Sequence, residues 1–171
     1  MSFFQSVVNV IIAICGFMGA GKSSFLKIYP EVTGIDLDLF IEGRIGALGD
    51  FIRKEGWHAF RDEESKSLRA ALEQIGTNGI LSLGGGTLDK KENLEFLKAS
   101  GVKILYLEID FETAMTRISG DENRPQLDKS REDLSELFTE RASLFDQACD
   151  LKLTGTVEAW PTSWSLLKSI M

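Results

Sequence analysis

The stretch GFMGAGKSS, Gly16 to Ser24, sets glycines, a lysine and a hydroxyl at a spacing that suits phosphate chemistry. Gly16, Gly21, Lys22 and Ser23 fit G-x-x-x-x-G-K-[ST], with Gly19 and Ala20 inside the pattern and Ser24 just after it. Glycines let successive backbone N–H groups converge on an anion with no Cβ in the way. A helix opening at Lys22 would aim its positive end at the same anion. Lys22 has the reach for β- and γ-phosphates, and the Ser23 hydroxyl suits Mg²⁺. The segment Gly16 to Ser24 therefore predicts a nucleotide cradle. The competing reading, a glycine-rich turn with an incidental lysine, leaves the strand-loop-helix setting unexplained.

Two further stretches could do chemistry. In GIDLDLFIE, Asp36 and Asp38 are two residues apart, which places both carboxylates on one face of an extended segment. At the carboxyl end of a strand that face overlooks the ligand crevice of an open α/β sheet. One acid could hold Mg²⁺ or its water, and the other could take a proton from an attacking hydroxyl. The competing reading is a solvated strand end with an aspartate helix cap. In ILSLGGGTL, an apolar strand ends in Gly84, Gly85 and Gly86, where many nucleotide hydrolases carry a metal-binding aspartate. Bare backbone there invites close approach by a ligand. No asparagine precedes a lysine, so the guanine-reading Asn-Lys-x-Asp pattern is absent. A small-molecule kinase is the class left standing.

The elements that must position these residues alternate along the chain. Strands are expected over VVNVIIAIC, VTGIDLD, GILSLGGG, VKILYLEI and DLKLT. A short helix should run from Lys22 to Tyr29 and stop at Pro30. Helix is expected from Leu39 into the seventies, broken near Gly46 to Gly49 and near Gly56. Asp89 is a plausible N-cap for the helix that stops at Gly101, and DFETAMTRIS forms the next. GDENRPQLDKS has turn chemistry and no apolar period. Ser130 and Asp133 are spaced as a capping box for a helix from Arg131 to about Ala148, and a last helix covers about Val157 to Ile170. Strands separated by helices imply an α/β fold, a parallel sheet covered on both faces.

Composition bounds the function. The chain has 171 residues, 43% of them hydrophobic, which suits one domain with a real core. A net charge of −7 argues against a broad nucleic-acid or anionic-membrane surface, while leaving room for a small cationic pocket. Two cysteines, Cys15 and Cys149, and one histidine, His58, predict neither a disulfide scaffold nor a zinc site. The N-terminal apolar run has no cation before Lys22 and is interrupted by Gln5, Ser6 and Asn9, so a cytoplasmic protein is expected.

In order and spacing, GFMGAGKS, DLDLFIE, GWHAFRDEE, LSLGGG, RPQL and ERASLF resemble the shikimate kinases almost end to end. The resemblance implies transfer of phosphate from ATP, with Mg²⁺, to the 3-hydroxyl of shikimate, on the way to chorismate and the aromatic amino acids. It implies a three-layer αβα fold of the P-loop kinase type, with a central five-stranded parallel sheet. A mobile lid at about 119–131, one domain over 1–171 and a monomer also follow from it.

Site residues follow from the same resemblance. Arg61 and Arg141 match the clamps for the substrate carboxylate, a role that suits a planar, permanently charged donor. Glu64 matches a position that orients Arg61. Asp38 matches the residue on the ring hydroxyls and is the candidate base, and Asp36 lies near the metal with Ser23. Gly84, Gly85 and Gly86 become the substrate wall, with contact expected from Gly85 and Gly86 first. Arg117 matches an arginine that packs on adenine. Arg124, in the lid, matches one that swings onto the phosphates and joins Lys22 in catalysis.

The chain also departs from the family pattern. Trp57 replaces a common glutamate, RPQL stands for RPLL, and Pro30 shortens the helix after the cradle. The loop near LTGTVEAWP matches weakly, so its base-contacting residues stay open. The rivals are another small-molecule kinase, for gluconate or a nucleoside monophosphate, and a noncatalytic ATP-binding relative.

Overall fold

The β-branched run before the glycine loop becomes the middle of a sheet. In the computed structural model, which describes residues 9–119, 129–154 and 157–171, β1 (Ile11–Cys15) lies between β3 (Gly79–Ser82) and β4 (Lys103–Leu107). β2 (Thr33–Asp36) and β5 (Leu151–Leu153) complete the order β2-β3-β1-β4-β5, with every pairing parallel. Helices α1 (Lys22–Leu26), α2 (Leu37–Ile45), α3 (Leu48–Ile75), α4 (Lys91–Ala99), α5 (Phe111–Ile118), α6 (Arg131–Ala148) and α7 (Trp164–Ile170) connect and cover the strands.

Strand alternation feeds two cores. Ile12 and Ile14 of β1 pack with Phe25, Tyr29, Trp160 and Leu167 on one face. Ala13 and Cys15 pack with Ile41, Leu68, Leu97 and Phe145 on the other. Burial on both faces explains why the central strands read as continuous apolar runs. The result is the expected three-layer α/β architecture. Among the described residues no helix is long and apolar enough to cross a membrane.

The register brings the functional loops to one edge. Ile14 pairs with Ser82 and Asp36 with Ser82, so β1, β2 and β3 end level with one another. The Leu83 N–H still donates to Ile14 O at 2.9 Å, after which the glycines leave the sheet. The cradle, the two acids and the three glycines therefore meet at the carboxyl ends of adjacent strands, where open α/β sheets bind ligands.

Several expectations need correction. The first strand begins at Ile11, although residues 9 and 10 are described, and the third stops at Ser82, short of the glycines. β2 stops at Asp36 because that carboxylate caps α2, accepting from Asp38 N at 3.1 Å and Leu39 N at 3.3 Å. Asp38 thus sits in the first helical turn, and the two acids do not share a strand face.

Asp89 is not the cap of α4. It closes a 3₁₀ turn, Thr87–Asp89, and Lys90 precedes the helix with no side-chain cap bond. The last helix is split as well. A 3₁₀ turn, Val157–Ala159, is followed by Pro161, and α7 starts only at Trp164, capped by Ser163. Proline has no N–H to continue a helix, and the Tyr29 hydroxyl donates to Pro161 O at 2.6 Å.

Other expectations hold. The break between α2 and α3 falls at Gly46, and α3 kinks at Gly56, whose φ is 87°. The Ser130 hydroxyl caps α6 by accepting from Asp133 N at 3.1 Å.

Candidate active site

The cradle is built by backbone geometry first. Gly21 caps α1 in the left-handed region, φ 91° and ψ 20°, where side chains other than hydrogen are strained. A Cβ there would also press on Trp160 at 3.2 Å. Lys22 folds over the loop, its Nζ donating to Gly16 O at 2.8 Å and Phe17 O at 3.2 Å. The loop is therefore already organised around the cation that would meet a phosphate. Ala20 is not among the residues that line the cleft beside the cradle. Its methyl lies in the core and its N–H donates to Phe17 O at 3.1 Å.

Ser23 and Asp36 meet across the strand ends. The Ser23 hydroxyl donates to Asp36 Oδ2 at 2.5 Å, while Asp36 Oδ1 holds the start of α2. Asp36 is thus a helix cap that also faces the cradle. Among the described residues no group of three or more His, Cys, Asp or Glu could hold a metal ion alone. Two oxygen donors side by side fit Mg²⁺, which takes few protein ligands and completes its shell with phosphate and water.

These residues line one cleft of about 380 Å³. Gly19, Gly21, Lys22, Ser23 and Ser24 form one wall, and Asp36 and Asp38 another. Arg117 lies at the margin, where its Nη1 donates to Gly19 O at 3.0 Å and ties the end of α5 to the cradle. Val157 and Trp160 close the remaining side. Trp160 is buried and packs on Phe25 at 5.1 Å. Sequence reasoning missed it, and its one signal was an aromatic in the weakly matching loop. Arg124 and most of the expected lid lie outside the described residues.

A second compartment adjoins the first through Asp38. The Arg61 guanidinium on α3 pairs with Glu64, Nη1 to Oε2 at 2.6 Å. Glu64 is 1% exposed, and its other oxygen accepts from Thr87 Oγ1 at 2.8 Å. A buried carboxylate so satisfied is held from both sides, and Arg61 is tied to it. Trp57 and Phe60 flank the same guanidinium, with ring centroids 5.3 and 5.4 Å from its carbon.

Arg141, which has no local sequence signal for burial, is only 4% exposed. Its Nη2 donates to Asp89 Oδ2 at 2.7 Å, and its Nε lies 3.2 Å from both Asp89 oxygens. Asp89 is the second residue that sequence reasoning missed, having been assigned to a cap.

The three glycines form the floor between these groups. A Cβ on Gly86 would overlap the guanidinium groups of Arg61 and Arg141, and one on Gly84 would lie 2.8 Å from Asp38 Oδ1. At Gly85 a Cβ would meet Arg141 Nη1 at 3.6 Å and Met18 N at 3.9 Å, both ordinary contacts. Two guanidinium groups converging beside bare backbone offer the kind of planar donors that suit a small carboxylate. Asp38 stands between those donors and the cradle. Below the cradle, burial pushes the Cys15 thiol up to about 12, so it stays a neutral core group.

Comparison with known proteins gives one consistent result. The family model for shikimate kinase matches residues 18–160. A shikimate kinase of Persephonella marina is 35% identical over 147 residues, covering 84% of this chain and 87% of the relative. One of Dictyoglomus turgidum is 32% identical over 147 residues, covering 82% and 84%. Among solved structures, shikimate kinase from Acinetobacter baumannii in complex with shikimate superposes with a TM-score of 0.81 at 26% identity, over 95% of this chain and 90% of that one. The Aquifex aeolicus enzyme gives 0.74 at 27% identity, over 94% of each chain.

Proposed function

The chain belongs to the shikimate kinase family and catalyses ATP-dependent phosphorylation of shikimate in aromatic biosynthesis, and we propose that the two compartments divide that work, one for ATP and one for shikimate. The observation that carries this reading is the convergence of Arg61 and Arg141 beside Gly86, with neighbouring Gly84 next to Asp38, which also lines the cradle's cleft.

In this reading the substrate carboxylate lies on Arg61 and Arg141, with Glu64 holding Arg61 in place. The ring rests on the backbone of Gly84, Gly85 and Gly86. Asp38 orients the 3-hydroxyl and accepts its proton as that oxygen attacks the γ-phosphorus. The bond to the β–γ bridging oxygen breaks, and ADP leaves with the electron pair. Lys22 turns from the loop carbonyls to the β- and γ-phosphates, and Arg124 adds positive charge from the lid. Gly16, Gly19, Ala20, Gly21, Ser23 and Ser24 surround the phosphates, and Arg117 packs on adenine. Ser23 and Asp36 would hold Mg²⁺, which supplies charge neutralisation on the phosphate oxygens. Catalysis of this kind is placement and electrostatics, with little covalent work by the protein.

One domain over 1–171, a lid at about 119–131, a monomeric state and a cytoplasmic location belong to the same proposal. ADP release tests it, measured with shikimate, gluconate, CMP or no acceptor. Release should depend on shikimate and yield shikimate 3-phosphate. Turnover with CMP or gluconate and none with shikimate would overturn it.

A further inference from the structure

We propose that Asp89 sets the affinity for the acceptor by occupying the carboxylate berth on Arg141 until the substrate displaces it. The inference rests on the reading of Arg61 and Arg141 as the carboxylate clamp. A guanidinium can receive a planar carboxylate on its Nε and Nη2 edge or on its Nη1 and Nη2 edge, and the Nη2 donor is common to both. On Arg141 the Nε and Nη2 edge is filled by Asp89, at 2.7 Å from Nη2 and 3.2 Å from Nε. The same Asp89 Oδ2 lies 4.0 Å from Arg61 Nη2. One carboxylate of the protein thus sits between the two arginines in the way that a bound substrate carboxylate would.

The two acids of the cluster differ in kind. Glu64 is sealed in and spends both oxygens on Arg61 and Thr87. The Asp89 side chain is 36% exposed, and among the described residues its oxygens pair with arginine alone. Its backbone is held independently, because the Asp89 N–H donates to Gly86 O at 3.1 Å. The side chain can therefore swing out without unmaking the turn.

Charge follows from geometry. With Asp89 in place, two arginines face two carboxylates, and the pocket offers an anion no net attraction. With Asp89 turned to solvent, one positive charge is released beside Gly86. Apparent affinity is then the intrinsic affinity scaled by the fraction of molecules with Asp89 out.

Steady-state kinetics of Asp89→Asn and Asp89→Ser test the proposal. Asparagine keeps the shape and loses the charge, and serine removes the reach. The KM for shikimate should fall by about three- to tenfold in both variants, with the KM for ATP unmoved. The carboxamide analogue of shikimate, which has no charge to compete, should show no such gain. An unchanged or raised shikimate KM in both variants would overturn the proposal. So would an equal gain for the carboxamide.

Arg141→Gln separates this proposal from its premise. A shikimate KM that ignores Arg141→Gln removes the clamp itself, and Asp89's role with it. A KM that rises in Arg141→Gln but does not fall in Asp89→Asn removes only the role of Asp89.

Discussion

Glu64 joins two segments of the site through one side chain. It is buried, and its two oxygens tie Arg61 of the same helix to Thr87 beyond the glycines. Without it, Arg61 would have rotamer freedom that ligand binding would have to remove. The glycine floor has the same positional logic. A methyl on Gly86 must displace two guanidinium groups, whereas a methyl on Gly85 meets ordinary contact distance. Gly86→Ala should therefore weaken shikimate binding about tenfold or more, while Gly85→Ala should cost far less. Fluorescence or calorimetric titration of the two variants checks the order, and a larger loss in Gly85→Ala would contradict it.

At the scale of elements, what the sequence made legible depends on whether the signal is local. The strand-loop-helix at Gly16 to Ser24 is local, since glycines, lysine and serine act through their own backbone. The cap at Ser130 and the kink at Gly56 are local too. Asp36 was legible as an acid near the cradle, with a helix cap as the rival reading, but the expected strand ran on to Asp38. The earlier end at Asp36 follows from a competition in which its carboxylate meets the helix N–H groups of Asp38 and Leu39. Asp89 was misread for a related reason. An aspartate before a helical run looks like a cap, and only the arrival of Arg141 from a helix 52 positions away gives its carboxylate a stronger partner. The burial of Arg141 and the placing of Trp160 beside Gly21 likewise arise from packing between distant segments. Arg61 and Arg141 were assigned through family resemblance, because the local pattern at Arg61, Glu64 at i+3, signals only a helical ion pair and Arg141 has none.

For the whole molecule, a net charge of −7 is compatible with a pocket that presents two arginines, because each arginine is held by an acid and the pair makes no surface field. The same buried core predicts how stability responds to alkali. Burial pushes Cys15 from 9.0 to about 12, and burial aided by Glu31 and by Glu108 pushes Tyr29 and Tyr106 from 10.0 to about 12. All three groups hold their protons longer in the folded chain than in the unfolded one. Stability from them is whole below about pH 9 and is lost as pH rises toward 12. The urea midpoint should accordingly fall steadily between about pH 8.5 and 11. A flat profile over that range would show that these protons are not linked to folding.

The central claim is that separate compartments hold the two substrates, and binding to Arg141→Ala tests it most directly. Calorimetric titration with shikimate, and separately with a non-hydrolysable ATP analogue, reads both compartments in one variant. Shikimate binding should weaken by roughly 2–5 kcal/mol, because its carboxylate is left without its buried partner, while binding of the ATP analogue stays as in the parent chain. Undiminished shikimate binding, or an equal loss for both ligands, would contradict the division of the site.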